Sequence, residues 1–159
     1  MDGFHLPKAA LDSFEDPKLA HSRRGAHWTF DSTGFVNLIK LLPGAKPVTA
    51  PSFDHSIGDP VPNAIVISGS TKLILVEGLY TILSTTKPWS DLNSLWSETW
   101  LIKSKDANLT AARLAQRHVS SGLEPDLAGA RNRILINDSL NADFLLNDLP
   151  ENIDVTILN

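Results

Sequence analysis

Hydrophobic residues recur at helical spacing in several parts of the chain. Four of them lie on one face of a predicted helix over 35–42, which ends at Pro43-Gly44. Asp106 or Asn108 can cap a second helix that runs to about Ser120, with Gly122 as its stop. Similar but shorter patterns predict helices over 9–14, 79–83, 89–96, 127–136 and 141–146.

Short apolar runs between these helices predict strands. Residues 65–67 and 72–76 flank a Gly69-Ser70 turn and resemble a hairpin, and 73–76 is apolar on both faces, as in a strand buried inside a parallel sheet. Further strands are predicted over 98–102 and 154–158, whereas four prolines and Gly58 predict a loop over 45–63. Alternating strands and helices indicate an α/β fold with a mostly parallel sheet.

The length of 159 residues fits one domain, and we expect a single core over 1–159. A net charge of −4 disfavours a surface that binds nucleic acid or anionic lipid, so partners of those kinds are not expected. The chain has no cysteine, which excludes disulfides and thiolate chemistry. No apolar run has the length of a membrane helix and the first residues do not resemble a signal peptide, so we expect a cytoplasmic protein.

Three groups of charged residues are candidates for chemistry. Glu77 follows the apolar run 73–76, where ligands of open α/β sheets bind, although a helix N-terminal acid would look the same. Arg113 and Arg117 share one face of a predicted helix and could hold a polyphosphate or simply be solvated. The loop dipeptide Arg23-Arg24 could contact a ligand. The five histidines form no HExxH pair, and no GxSxG or GxGxxG motif is present.

Six blocks in order resemble the phosphoribulokinase and uridine kinase family of P-loop kinases, and most of all its pantothenate-kinase-like nucleoside triphosphate hydrolase branch. The resemblance runs from Asp2 to about Leu146 and implies a three-layer P-loop NTPase-like fold. It also implies a kinase that uses ATP and Mg²⁺ to phosphorylate a hydroxyl of a small molecule. The blocks are MDGFH, RRGAHWTFD, PSFDHSIGDP, ILVEGLY, ARLAQRHVSSG and NDSLNADFLL.

The resemblance also implies roles for individual residues. Asp2 would be the catalytic base, and Glu77 would be the acid at the end of the Walker B-like strand, near magnesium and substrate. The substrate-binding positions would be Arg23, Arg24, Asp54 and His55. The positions that cover ATP or lie near its adenine would be Arg113, Arg117, Asn137, Asp138 and Asn141.

The sequence departs from the family at one essential motif. No GxxxxGK[ST] phosphate loop occurs, although this loop supplies the amides, lysine and hydroxyl that hold the β- and γ-phosphates. We therefore expect an α/β sheet that is incomplete at its N-terminal side and a chain that is inactive by itself. Two interpretations follow: the C-terminal majority of a kinase, which we favour, or a non-catalytic binding module of the same fold. The acceptor and the oligomeric state stay open.

Overall fold

The computed structural model describes residues 1–54 and 57–159. Their contacts group into two compact units, Met1–Trp96 and Ser97–Asn159, each of which is considered by itself. The expectation of a single kinase-like domain over 1–159 stays a prediction. Every helix within the described ranges is too short or too polar to cross a bilayer.

The first unit combines short helices with one antiparallel strand pair. Asp16 and Asp31 cap its second and third helices, because their carboxylates accept hydrogen bonds from the amides of Leu19 (2.9 Å) and Gly34 (2.8 Å). The punctuation by prolines and glycines predicts a long loop over 6–33 with one short helix near 9–14, but the structure has two helices before Arg23; the helix predicted over 35–42 is confirmed. The elements are α1 Lys8–Leu11, α2 Pro17–Ser22, α3 Ser32–Leu41, β1 Val48–Asp54 and β2 Asp59–Ile67, with 3-10 turns at Asp2–Phe4, His27–Thr29 and Trp89–Leu92.

The loop predicted over 45–63 is wrong, because β1 and β2 form a hairpin there. Pro51 is accommodated where the pairing is irregular, whereas Pro60 lies in regular register opposite Phe53. The register shifts between Ala50 and Ser52, which places Pro51 in a bulge, and on the opposite strand Asn63 adopts a φ of 54°. A count of prolines predicts a loop, but prolines at a bulge cost no ladder hydrogen bonds.

The buried strand predicted over 72–76 is also wrong. Residues 71–78 have no regular secondary structure, and in the part of the chain that the structure describes they pair with no strand. Leu73 is 76% exposed and Leu75 is 88% exposed, whereas Ile74 and Val76 are partly buried. The segment therefore has the alternating exposure of a strand with only one face covered.

Aromatic side chains form the centre of the first unit. Trp89 and Tyr80 are buried with ring centroids 5.7 Å apart, and Phe30 contacts both of them edge-on. The Tyr80 hydroxyl donates a hydrogen bond to the carbonyl of Gly25 (2.8 Å), so its polar end is satisfied inside the core. This core holds the segment after Glu77 against the loop that contains Arg23 and Arg24.

The second unit contains a parallel strand pair and a run of helices. β3 Trp100–Lys103 pairs in parallel with β4 Val155–Leu158, and the Asp154 carboxylate accepts hydrogen bonds from the amide and the hydroxyl of Thr99 at the start of the pair. Asp106 caps α4 and Gly122, at φ 73°, ends it, as predicted. The helices are α4 Ala107–Ser120, α5 Leu127–Arg133 and α6 Ser139–Asn147, with a π-helical turn at Ile134–Asp138 between the last two.

Candidate active site

Two acidic positions lie on neighbouring segments of the first unit. The amino nitrogen of Met1 donates a hydrogen bond to the carbonyl of Glu77 (2.7 Å), which places the 3-10 turn that begins at Asp2 beside the end of the segment 71–78. Both Asp2 and Glu77 are exposed. The structure thus brings together the backbones that carry the predicted base and the predicted Walker B-like acid.

A glycine follows each of these acids, and Gly3 is required for a close backbone approach. A Cβ added at Gly3 would lie 2.2 Å from the carbonyl oxygen of Pro51, and one at Gly78 would lie 2.3 Å from side-chain atoms of Met1. Only a residue without a side chain lets the Asp2 turn reach the hairpin at this distance, whereas the contact at Gly78 is with a flexible side chain. Gly3 therefore sets how closely the backbone of Asp2 approaches the hairpin.

Most of the guanidinium group of Arg24 is engaged in contacts within the protein. It donates hydrogen bonds to the carbonyls of Leu6 (2.8 Å) and Gly58 and to the carboxylate of Asp59 (2.9 Å), and it lies over the ring of Phe53 at 5.8 Å. Its side chain is only 14% exposed. These contacts join the loop before α1 to both strands of the hairpin.

Lys8 makes a second connection to the same turn. Its ammonium donates to the carbonyl of Ile57 (2.9 Å), and its backbone amide donates to the Asp59 carboxylate (2.9 Å). Partial desolvation acts to raise the pKa of Asp59, but the Lys8 amide, the Arg24 guanidinium and both positive charges outweigh it and lower the pKa overall. Asp59 is therefore ionised at neutral pH and joined to both cations.

The other predicted substrate residues lie around the same turn. Arg23 is partly buried at the C-terminal end of α2, and Asp54 is the last residue of β1, with its carbonyl accepting hydrogen bonds from the amides of Ile57 (3.2 Å) and Gly58 (2.7 Å). His55 lies outside the described residues. The structure thus places Arg24 and Asp54 at one end of the hairpin, and no sequence pattern indicates the contacts of Lys8 and Asp59 there.

His5 is a residue of this region that sequence reasoning missed. Its ring lies between Phe30 and Phe53, with centroid distances of 4.1 and 4.7 Å, and its Nδ1 is 2.9 Å from the carbonyl oxygen of Asp2. Beside it is a cleft of about 330 Å³. The cleft is lined by Gly3, Phe4, His5, Leu6, Pro7, Asp31, Pro51, Pro60, Pro62 and Asn63.

The predicted lid arginines lie in the second unit. Arg113 and Arg117 are both exposed on α4, four residues apart, while Ala115 and His118 on the same helix are buried. Neither guanidinium forms an ion pair with the residues that the structure describes. Their common face, which the spacing predicted, is confirmed, and their contact with a triphosphate stays a prediction.

The residues predicted near the adenine belong to a buried polar group. Asn137 and Asn141 are buried, and the Asn141 amide donates to the Asn137 side-chain oxygen at 3.3 Å. His118 Nε2 lies 2.8 Å from the carboxylate of Asp138, and the His118 side chain is 8% exposed. These residues join α4 to the π-helical turn, a helix irregularity that is frequent at functional sites.

The first unit offers two exposed acids, Asp2 and Glu77, as candidate ligands for a magnesium ion. Within the described ranges, no three histidine, cysteine or acidic side chains are grouped as a metal site. Mg²⁺ in phosphate-transfer sites usually takes only one or two carboxylates, together with water and substrate phosphates. Glu77, with Asp2 on the neighbouring segment, can supply such carboxylates.

Comparison with known proteins places this geometry among the P-loop kinases. The chain is 46% identical over 156 residues to the ATP-dependent kinase-like protein notR' of Aspergillus versicolor, and the match covers 94% of this chain and 90% of that protein. It is 38% identical to a Schizosaccharomyces pombe protein provisionally named a uridine kinase, of which it spans 62%. No family model matches the chain.

A solved structure of a P-loop-containing kinase has the same fold. YFH7 of Saccharomyces cerevisiae, described as a P-loop-containing kinase with a circular permutation, superposes on the whole chain with a TM-score of 0.88 and 31% identity. The chain spans 56% of the length of that protein. The fold is therefore the α/β fold of the P-loop kinases, as predicted.

The relatives define the family more closely than the fold does. The chain belongs to the family of ATP-dependent kinase-like proteins that includes notR' and relatives named as uridine kinases. This membership confirms the resemblance found in the sequence blocks from MDGFH to NDSLNADFLL.

Proposed function

We propose that this chain carries the acceptor side and the cover of an ATP-dependent kinase that phosphorylates a hydroxyl of a small molecule. The observation that carries the proposal is the adjacency of the Asp2 and Glu77 segments, joined by the 2.7 Å hydrogen bond from Met1 to Glu77, in a chain 46% identical to an ATP-dependent kinase-like protein. Phosphoryl transfer depends mainly on positioning and on charge neutralisation. Both can be assigned to named residues.

In this proposal Asp2 accepts the proton of the acceptor hydroxyl. Asp2 is exposed and begins the turn whose next residue, Gly3, lines the cleft in which we place the acceptor. Glu77, on the adjacent segment, would hold Mg²⁺. When bound, this ion would neutralise negative charge on the phosphate oxygens.

The nucleotide side is assigned to the second unit. Arg113 and Arg117 are exposed on one face of α4 and supply the positive charge that a triphosphate requires. Asn137, Asp138 and Asn141 belong to the polar group behind that helix and are assigned to the adenine side. On the acceptor side, Arg23, Arg24, Asp54 and His55 are assigned to the substrate loop.

The chain has no GxxxxGK[ST] motif, so we propose that its activity depends on a segment that supplies this loop. The test compares ATP-dependent phosphorylation of a panel of nucleosides, sugars and pantothenate by this chain and by a fusion that carries a P-loop segment. Transfer is expected only with the fusion. Equal activity of the two proteins would contradict the dependence.

Substitutions in the active fusion then test the assigned acids. Asp2→Asn should lower kcat by two to four orders of magnitude, roughly the contribution of a general base. Asp12→Asn is the matched control, because Asp12 is an exposed acid of the same unit that pairs with His21 at 2.7 Å. A similar loss in both variants would show that Asp2 is not the base.

The absent phosphate loop also favours a second candidate, a non-catalytic module that binds the acceptor or a partner. Calorimetry with ATP and with the acceptor panel separates the two. Binding of an acceptor without nucleotide, in a chain that the P-loop fusion does not activate, would support the module. Binding of both ligands would support the kinase.

A further inference from the structure

The basic side chains around the hairpin turn are already paired within the protein. Arg24 contacts Leu6, Gly58 and Asp59, and the Lys8 ammonium contacts the carbonyl of Ile57. Both cations also offset the charge of the Asp59 carboxylate. An anionic ligand would have to compete with all of these contacts to recruit either cation.

The cleft beside this turn has no strong cation in its wall. Its lining, in the part of the chain that the structure describes, contains no lysine or arginine. Its walls are largely apolar, with Phe4 and Leu6 on one side and Pro51, Pro60 and Pro62 on the other. The polar groups that reach it are His5, Asp31 and Asn63, so its one full charge is negative.

Two of those residues, Asp31 and Asn63, are held in position by hydrogen bonds to neighbouring residues. The Asp31 carboxylate accepts the Gly34 amide at 2.8 Å, and the Asn63 side-chain oxygen accepts the Thr49 hydroxyl at 2.7 Å. Both side chains keep further acceptor or donor capacity for hydroxyl groups. A phosphate or carboxylate in the cleft would instead be desolvated near Asp31 without a cation opposite it.

From these contacts we infer that the acceptor of the proposed kinase is uncharged: an alcohol with hydroxyl groups and an apolar face, such as a nucleoside, a free sugar or a neutral amide alcohol. The inference rests on the proposed function, since it concerns the acceptor of that site. In it Arg24 is a positioning residue, which holds the hairpin turn, rather than a ligand for an anion.

The test uses pairs of ligands that differ mainly in charge. Calorimetry on the whole chain compares uridine with uridine 5′-monophosphate, ribose with ribose 5-phosphate, and panthenol with pantothenate. For the pair that binds, the neutral member should bind at least about tenfold more tightly. Tighter binding of the charged member would overturn the inference but would leave the kinase proposal intact, whereas failure of every pair to bind would contradict both.

A substitution in the cleft wall checks that the preference arises there. Pro62→Lys adds a cation to the cleft, and Pro62→Gln is its matched neutral control. The lysine variant should strengthen binding of the charged member several-fold while the glutamine variant leaves the preference unchanged. If the two variants behave alike, binding occurs elsewhere and the inference is wrong. The wild-type comparison decides the charge preference even if either variant fails to fold.

Discussion

Replacing Gly3 with alanine tests the close contact that positions Asp2. The new Cβ would lie 2.2 Å from the carbonyl oxygen of Pro51, and ordinary contacts of this kind begin at 3.4 Å, so the two backbones must separate by roughly 1 Å. Overpacking of this size costs about 1–3 kcal/mol. For a chain of this length the melting temperature should fall by about 3 to 10 °C.

The matched variant is Gly78→Ala, whose Cβ would meet Met1 at 2.3 Å. Most of that contact is with outer atoms of a flexible side chain, which can rotate away, so the loss of stability should be smaller than for Gly3→Ala. Thermal unfolding of the three proteins, followed by circular dichroism, gives the comparison. The reasoning fails if Gly3→Ala melts with the wild type, or if Gly78→Ala is the less stable variant.

Three further changes follow from contacts described above. The lowered pKa of Asp59 means that its contribution to stability is complete above about pH 4, the range of a free carboxyl, and is lost as the pH falls through the lower folded value. Asp59→Asn weakens the Arg24 pair and should therefore reduce the fall in the free energy of unfolding, measured in urea, as the pH drops below about 4; an unchanged pH dependence would contradict this. Asp138→Asn should reduce the free energy of unfolding by about 1–3 kcal/mol in denaturant titrations, because an uncharged amide replaces the carboxylate that lies 2.8 Å from His118 Nε2, and an unchanged midpoint would contradict this. Gly122→Ala should lower the free energy of unfolding by about 1–2 kcal/mol in the same titrations, because a residue with a Cβ is strained at a φ of 73°. No atom lies within 4 Å of the added Cβ, so steric overlap does not contribute, and an unchanged free energy would show that the turn relaxes.

The elements predicted well from sequence are those in which pattern and local chemistry agree. α4 has an apolar face, an Asp106 cap and a terminal Gly122, and its bounds match the prediction closely. The strand predicted over 154–158 is found at Val155–Leu158, where its short apolar run pairs with β3. Local signals suffice where an element is stabilised by its own caps and its own face.

The β1–β2 hairpin and the contacts of Arg24 at its turn could not be predicted in this way. The prolines of 48–67 indicate a loop unless the bulge at Pro51 is known, and the bulge depends on pairing with the other strand. The Arg24 contacts join positions 18 to 35 residues apart, and no spacing rule connects them. Sequence therefore identified Arg24 as a candidate for binding but not the groups that it binds.

The segment 71–78 has a consequence for handling the protein. Leu73 and Leu75 are exposed two residues apart, so the segment presents apolar surface through which copies of the chain can associate. Concentrated samples should therefore self-associate, and Leu75→Lys should delay that association in light scattering. If the variant aggregates at the wild-type rate, the surface that mediates self-association lies elsewhere.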